Sequence, residues 1–182
     1  DHRILDWAAE NRIPVRGTPE APDADTTAFD YLFSVANVTV LPMALIDQAR
    51  IAAINFHDGP LPAYAGLNVP VWALIEGQQT HAVTWHEMVE KIDAGRVFAT
   101  QSFEIMPTDT AFSLNARCYE AGLQTFREML PAIASGNLVG AVPVGGRGWY
   151  ARAKRPDALG FLDFNLPAAE LCRLVRGLNF GG

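Results

Sequence analysis

The sequence predicts an α/β fold, a mostly parallel sheet with helices on both faces. Three observations lead there. Short apolar runs of strand length, such as "YLFSV" and "IAAINF", alternate with amphipathic runs of helix length, such as "VPVWALIEG". Gly and Pro turn signals separate them. At 182 residues and 49% hydrophobic content, the chain has enough apolar surface for one sizeable core. In sheets of this class ligands bind at the carboxyl ends of strands, so residues at those ends are the first candidates for chemistry.

The elements follow in order. "HRILDWAAEN" places Ile4, Leu5, Ala8 and Ala9 on one helical face, predicting an amphipathic helix over residues 2–11. "IPV" at 13–15 reads as a short strand, and residues 16–29 as a surface loop rich in Pro, Gly and charge. "YLFSV" is a buried strand. "LPMALIDQA" is a short helix with Pro42 near its start, where proline is tolerated. "IAAINF" is the next strand, and "VPVWALIEG" a helix stopped at Gly77. "HAVTWHEM" and "VFATQSFEI" are strands bracketing a turn at Asp93, Ala94 and Gly95. Residues 109–135 form the longest helical pattern, "VPVGGRGWYARAKRP" reads as loop or strand edge, and "LPAAELCRLVRGLN" as a last amphipathic helix. A domain of this class usually opens on a central strand, whereas this chain opens on a helix, so a first strand and helix are expected to be missing.

Composition excludes several functions. A formal charge of −6 argues against general nucleic-acid binding but leaves room for a small anionic ligand held by a few local cations. There is no apolar stretch of about eighteen residues to span a membrane, and Asp1, Asp6 and Glu10 break any signal-like run at the start. Cys118 and Cys172 lack Cys-x-x-Cys spacing and read as two reduced cysteines of a cytoplasmic protein.

One stretch stands apart: "INFHDGPLPAYAGLNVPVWALIEG". It finishes a buried strand with Asn55 and His57, then stiffens the following loop with Gly59, Pro60, Pro62 and Gly66. Two residues apart on an extended segment, Asn55 and His57 project to the same side. Asp93 sits at another predicted strand-end turn. Together the three suit one task. An amide N–H donates to a carbonyl oxygen as it gains charge. An imidazole moves a proton between attacking and leaving nitrogen. A carboxylate holds the imidazole's orientation or protonation state.

Rival constellations are weaker. No Gly-x-Ser-x-Gly elbow, Gly-x-Gly-x-x-Gly turn or Walker loop is present. His57, His81, His86 and Asp93 could be imagined as metal ligands, but "HEMVE" is not His-Glu-x-x-His, and a strand spacing of five puts His81 and His86 on opposite faces; no metal is expected. Trp72 and Trp85 read as core, and Arg152 with Lys154 as a solvated edge.

"NFHDGPLPAYAGLNVPVWAL" followed by "HAVTWHEMVEKIDAGRV" resembles the folate-dependent formyltransferases, the methionyl-tRNA formyltransferase-like catalytic domains. Their pattern is Asn-x-His, a Leu-Pro loop with a Gly, then Val-Thr-x-His and Asp-x-Gly about thirty residues on. The resemblance implies a Rossmann-like formyltransferase fold, with a catalytic domain over residues 1–140, incomplete at its N-terminus. Residues 141–182 would be a linker and the start of a C-terminal subdomain. It implies catalytic roles for Asn55, His57 and Asp93. The donor would be 10-formyltetrahydrofolate, bound by Val38, Val40, Leu41 and Pro42 on one side and by His86, Val89, Ile92 and Asp93 on the other. "FHDGPLPAYAGLN" looks most like formyltransferase domains of nonribosomal peptide synthetases. The implied acceptor is therefore an amine or a carrier-protein-bound aminoacyl group, with adjoining synthetase domains as possible partners. Two alternatives stay open: a 10-formyltetrahydrofolate hydrolase, which keeps the same three residues, and an inactive folate- or partner-binding module.

Overall fold

The structure is a computed structural model, and it describes residues 2–15, 29–37, 39–157 and 160–181. The elements in chain order are α1 (His2–Glu10), β1 (Phe29–Ser34), α2 (Met43–Ile46), β2 (Ala49–His57), β3 (Ala65–Gly66), α3 (Val69–Ile75), β4 (Thr80–Glu87), β5 (Val97–Glu104), α4 (Ala111–Ala134), β6 (Trp149–Tyr150) and α5 (Ala168–Gly177). The α/β class expected from the sequence is the one observed. The main sheet has the order β1-β2-β4-β5, and a two-strand sheet pairs β3 with β6.

Strand directions are more mixed than the alternating elements implied. β1 runs parallel to β2, and β3 parallel to β6, while β2 with β4 and β4 with β5 are antiparallel. The reason lies in the connections. A parallel crossover needs a dozen or more residues, and only residues 88–96 separate β4 from β5. After β2 the chain is pinned at the rim it has just reached. The His57 Nε2–H donates to the Tyr64 carbonyl at 2.6 Å, and the Thr84 hydroxyl to the Gly59 carbonyl at 2.8 Å. The next strand of the sheet therefore enters from that same rim.

Other differences are local. "IPV" at 13–15 forms no strand, since nothing pairs with it among the described residues. Helix α2 is a single turn, because Ala49 already belongs to β2. The segment at 142–156 contributes β6, whose register sets Ala65 against Trp149 and Gly66 against Tyr150. Most of the loop expected at 16–29 lies outside the described residues.

The core forms where the periodicities meet. Ile54 and Phe56 of β2, with Val83 and Trp85 of β4, pack against Cys118, Ala121 and Met129 of α4. Helix α4 starts with a capping box, in which Thr110 accepts the Ser113 N–H and the Ser113 hydroxyl accepts the Thr110 N–H. Gly122 lets α4 approach the sheet: a Cβ there would meet the Phe56 ring at 2.3 Å. Trp72 and Trp85 are core residues, as expected, 7% and 3% exposed. The Trp85 indole N–H donates to Thr125 Oγ1 at 3.0 Å. Trp85→Ala would open a cavity between sheet and helix and remove the donor to that hydroxyl. It is expected to cost about 3–5 kcal/mol of unfolding free energy, measured by urea denaturation; a loss below about 1 kcal/mol would contradict this account of the core.

Residues 141–182 stay attached to the rest of the chain. Helix α5 packs on α3. Lys154 is not the solvated edge expected of it. Its ammonium lies 4.0 Å from the Tyr150 ring centroid and 4.2 Å from that of Trp72, with Glu76 Oε1 at 3.7 Å.

Candidate active site

Pairing of β2 with β4 sets Asn55 opposite His86 and His57 opposite Thr84. Alternation along both strands sends Ile54, Phe56 and Trp85 to α4, and leaves these four on the other face. Asp93 arrives from the turn after β4, at φ 53°, a left-handed conformation that Asp tolerates better than most residues. Gly95 completes the turn, since a Cβ there would lie 2.1 Å from the Glu87 carbonyl oxygen.

The structure thus brings Asn55, His57 and Asp93 together, and His86 joins them. His57 Nδ1 stands 3.9 Å from Asp93 Oδ2, and His86 Nε2 stands 3.4 Å from Asp93 Oδ1. The His86 Nδ1–H donates to the Glu87 carbonyl at 2.9 Å, so in the neutral ring Nε2 accepts from the Asn55 amide, 3.2 Å away. In the imidazolium form the same atom donates to Asp93. Beside a discounted metal set, the sequence had offered His86 as a wall of the folate pocket; its place in the Thr84–His86 alternation opposite Asn55 and His57 was the available signal. His81 lies apart, its Nε2–H donating to the Asp58 carbonyl at 2.7 Å, and burial lowers its pKa against the opposing pull of that carbonyl.

His57, His86 and Asp93 are all buried. Burial pushes the Asp93 carboxyl up. The nearby His86 and His57 and the Gly66 N–H outweigh it together and hold the group below the ordinary carboxylate value. The Gly66 N–H donates to Asp93 Oδ2 at 2.8 Å. Gly66 has φ 108°, and a Cβ would meet the Tyr150 carbonyl oxygen at 2.3 Å, so only glycine serves there.

The loop that carries the Tyr64 carbonyl is held from behind. The Tyr64 ring stacks on Tyr150 at 5.0 Å, and both hydroxyls donate to Glu76, at 2.6 Å and 2.9 Å. Burial and then Glu76 raise both phenols, Tyr150 to about 12 and Tyr64 further. Since the His57 Nε2–H is committed to Tyr64, Nδ1 is the ring nitrogen left to exchange a proton.

A cavity of about 580 Å³ opens onto these groups, within the range of small-molecule sites. Of the residues expected to hold a folate, Val40, Leu41, His86, Val89, Ile92 and Asp93 line it. Pro42 does not line it and instead serves as the N-cap of α2. Val38 lies outside the described residues. Ile46 and Met88 extend the apolar wall, and Asp58, Tyr119, Trp149 and Arg152 form parts of the lining that sequence reasoning missed. Trp149 and Arg152 reach it through the β3–β6 pairing, a contact of high sequence separation. Val40, Val89 and Ile92 are exposed apolar side chains at this mouth.

Fold and site define a class. Residues 20–130 match the formyl transferase family, and the chain belongs to that family. Solved structures share the fold at low identity. An N-formyltransferase from Helicobacter canadensis, in complex with folinic acid and dTDP-3-aminofucose, is 20% identical with a TM-score of 0.78, covering 96% of this chain and 63% of its own. HypX from Aquifex aeolicus, in complex with tetrahydrofolic acid, is 22% identical with a TM-score of 0.70, over 81% of this chain and 25% of its own. The formyltransferase PseJ from Anoxybacillus kamchatkensis, in complex with UDP-4,6-dideoxy-4-formamido-L-AltNAc and tetrahydrofolate, is 19% identical with a TM-score of 0.68, over 84% and 82%. The chain spans less than two thirds of the Helicobacter protein's length.

Proposed function

We propose that this chain carries the catalytic site of an enzyme that moves a formyl group from 10-formyltetrahydrofolate to an amine. One observation carries the reading: in a formyl transferase family chain, Asn55, His57 and Asp93 converge on one cavity of suitable size and apolar lining. Asn55 is the oxyanion donor, since its amide has a second N–H beyond the one given to His86. His57 takes the proton from the attacking amine at Nδ1 and returns it to the departing nitrogen. Asp93 stabilises the imidazolium between those events. The pterin end of the donor lies against Val40, Leu41, Val89 and Ile92 and bonds chiefly to backbone. The catalytic unit is residues 1–140, with 141–182 leading towards a C-terminal subdomain, in a cytoplasmic protein.

The acceptor is the finer step. The segment from Phe56 to Asn68 supports an aminoacyl group on a carrier protein or another natural-product amine; the Helicobacter and Anoxybacillus structures hold nucleotide-linked sugars. The experiment combines calorimetry with product analysis. Folinic acid is titrated into the protein, then 10-formyltetrahydrofolate is supplied with dTDP-3-aminofucose or with aminoacyl-phosphopantetheine thioesters. Binding followed by a formamide on one amine is the expected result. Formate release with every amine left unchanged would identify a hydrolase instead, and absence of folinic acid binding would overturn the reading.

A further inference from the structure

The residue after His57 has no part in the chemistry described so far. Asp58 lines the same cavity as Asn55, His57 and Asp93 and is half-buried. Its backbone is fixed, because its carbonyl accepts from His81 Nε2 at 2.7 Å and from Cys118 Sγ at 3.9 Å. Its carboxylate, by contrast, takes part in none of the ion pairs or side-chain hydrogen bonds among the described residues. The other carboxylate beside His57, that of Asp93, is committed to Gly66, His86 and His57. The field of Asp58 reaches across the cavity wall: after burial, it is the largest influence raising the Tyr119 hydroxyl. A half-buried anion without a cation has given up solvation for no partner, and a charged ligand group can supply one.

We propose that Asp58 binds the acceptor's ammonium group, so that the acceptor is an amine that arrives protonated; this rests on the formyl-transfer reading above. An aliphatic amine is a cation near neutral pH, yet only the free amine attacks. Held by Asp58, the nitrogen waits beside His57. It loses one proton to solvent, its lone pair forms the bond to the formyl carbon, and the bond from that carbon to the donor nitrogen breaks. The second proton passes through His57 to the departing nitrogen. The formamide product carries no charge, so the attraction that drew the acceptor in does not hold the product. Asp58 thus sets acceptor affinity and assists release, apart from the roles of Asn55 and His57.

The test needs no knowledge of the natural acceptor. Ethanolamine hydrochloride and its uncharged counterpart ethylene glycol are titrated into protein saturated with folinic acid, with binding read by saturation-transfer NMR. The wild type is expected to bind ethanolamine about tenfold more tightly than ethylene glycol or better, as a charge-assisted hydrogen bond allows. Asp58→Asn abolishes that preference and Asp58→Glu keeps part of it; Asp58→Ser replaces Asp58→Asn if the latter does not fold. Equal preference in wild type and neutral variant overturns the proposal. So does a wild type that binds folinic acid but no ethanolamine at about 100 mM, far above the affinity of any useful site. If folinic acid itself does not bind, the formyl-transfer reading falls and Asp58 loses its assigned role with it.

Discussion

Asn55→Ala lowers turnover about 100- to 1,000-fold while folinic acid affinity changes little. The asymmetry follows from where the amide sits. Asn55 is at the end of β2, half-buried, with one N–H given to His86 Nε2 and the other free to meet a carbonyl oxygen. A neutral formyl oxygen is a modest acceptor, and the same oxygen at the transition state is a strong one, so the lost bond falls on kcat and not on ground-state binding. The fold survives, because the strand's apolar contacts come from Ile54 and Phe56 on the other face. His57→Ala is expected to be comparably damaging, as among the described residues no other ring nitrogen lining the cavity is left with a free position: His86 is engaged at both nitrogens. Steady-state rates, with folinic acid binding measured on the same preparations, check this. An Asn55→Ala protein within about fivefold of wild-type turnover would show that the oxyanion is stabilised elsewhere.

The parts of this site legible in the sequence were those fixed by local rules. Two-residue alternation at a strand end places Asn55 and His57 side by side wherever the strand goes. A turn of Asp, Ala and Gly forces a tight reversal, and Gly95 is required by the Glu87 carbonyl. The contributions that stayed hidden depend on pairing across long stretches of chain. Nothing near Gly66 says that its N–H will meet Asp93, or that Tyr150 will stack on Tyr64 behind the loop that fixes His57. Lys154 looks like a surface cation in sequence, because the rings of Trp72 and Tyr150 that cover it come from distant elements. Strand direction was obscured for the same reason. Alternating strands and helices suggest parallel crossovers, and only the bonds of His57 and Thr84 to the 58–66 loop turn the chain back at the rim. Periodicity could only put Asp93 at another strand-end turn, and the family resemblance of the segments at 55–74 and 81–97 strengthened its grouping with Asn55 and His57.

Asp93→Asn separates electrostatics from shape. The substituted amide keeps an oxygen for the Gly66 N–H, so the turn at φ 53° and the loop are retained. What disappears is the anion 3.9 Å from His57 Nδ1. An imidazole that accepts a proton from the attacking amine then holds its charge without a counter-ion, in a site where His57 is only 5% exposed. General acid–base catalysis of this kind contributes about 100- to 10,000-fold, and turnover is expected to fall by about 100-fold or more, across pH 6–8. That window is set by Asp93 itself. Its carboxyl titrates below the ordinary value of 3.8 because His86, His57 and Gly66 outweigh the effect of burial, so the wild type keeps its carboxylate over the whole range and the deficit does not close there. The same shift fixes the sign of the stability effect. A carboxylate with a lowered folded pKa contributes stability that is complete above about pH 4, the unfolded value, and is lost as pH falls through the lower folded one. Thermal unfolding should therefore show the variant less stable than wild type at pH 7, with the gap narrowing below about pH 4 as wild-type Asp93 protonates and comes to resemble the amide. A gap that is constant from pH 7 to pH 3, or a variant with undiminished turnover at pH 7, would remove Asp93 from the proton relay and leave it a turn residue alone.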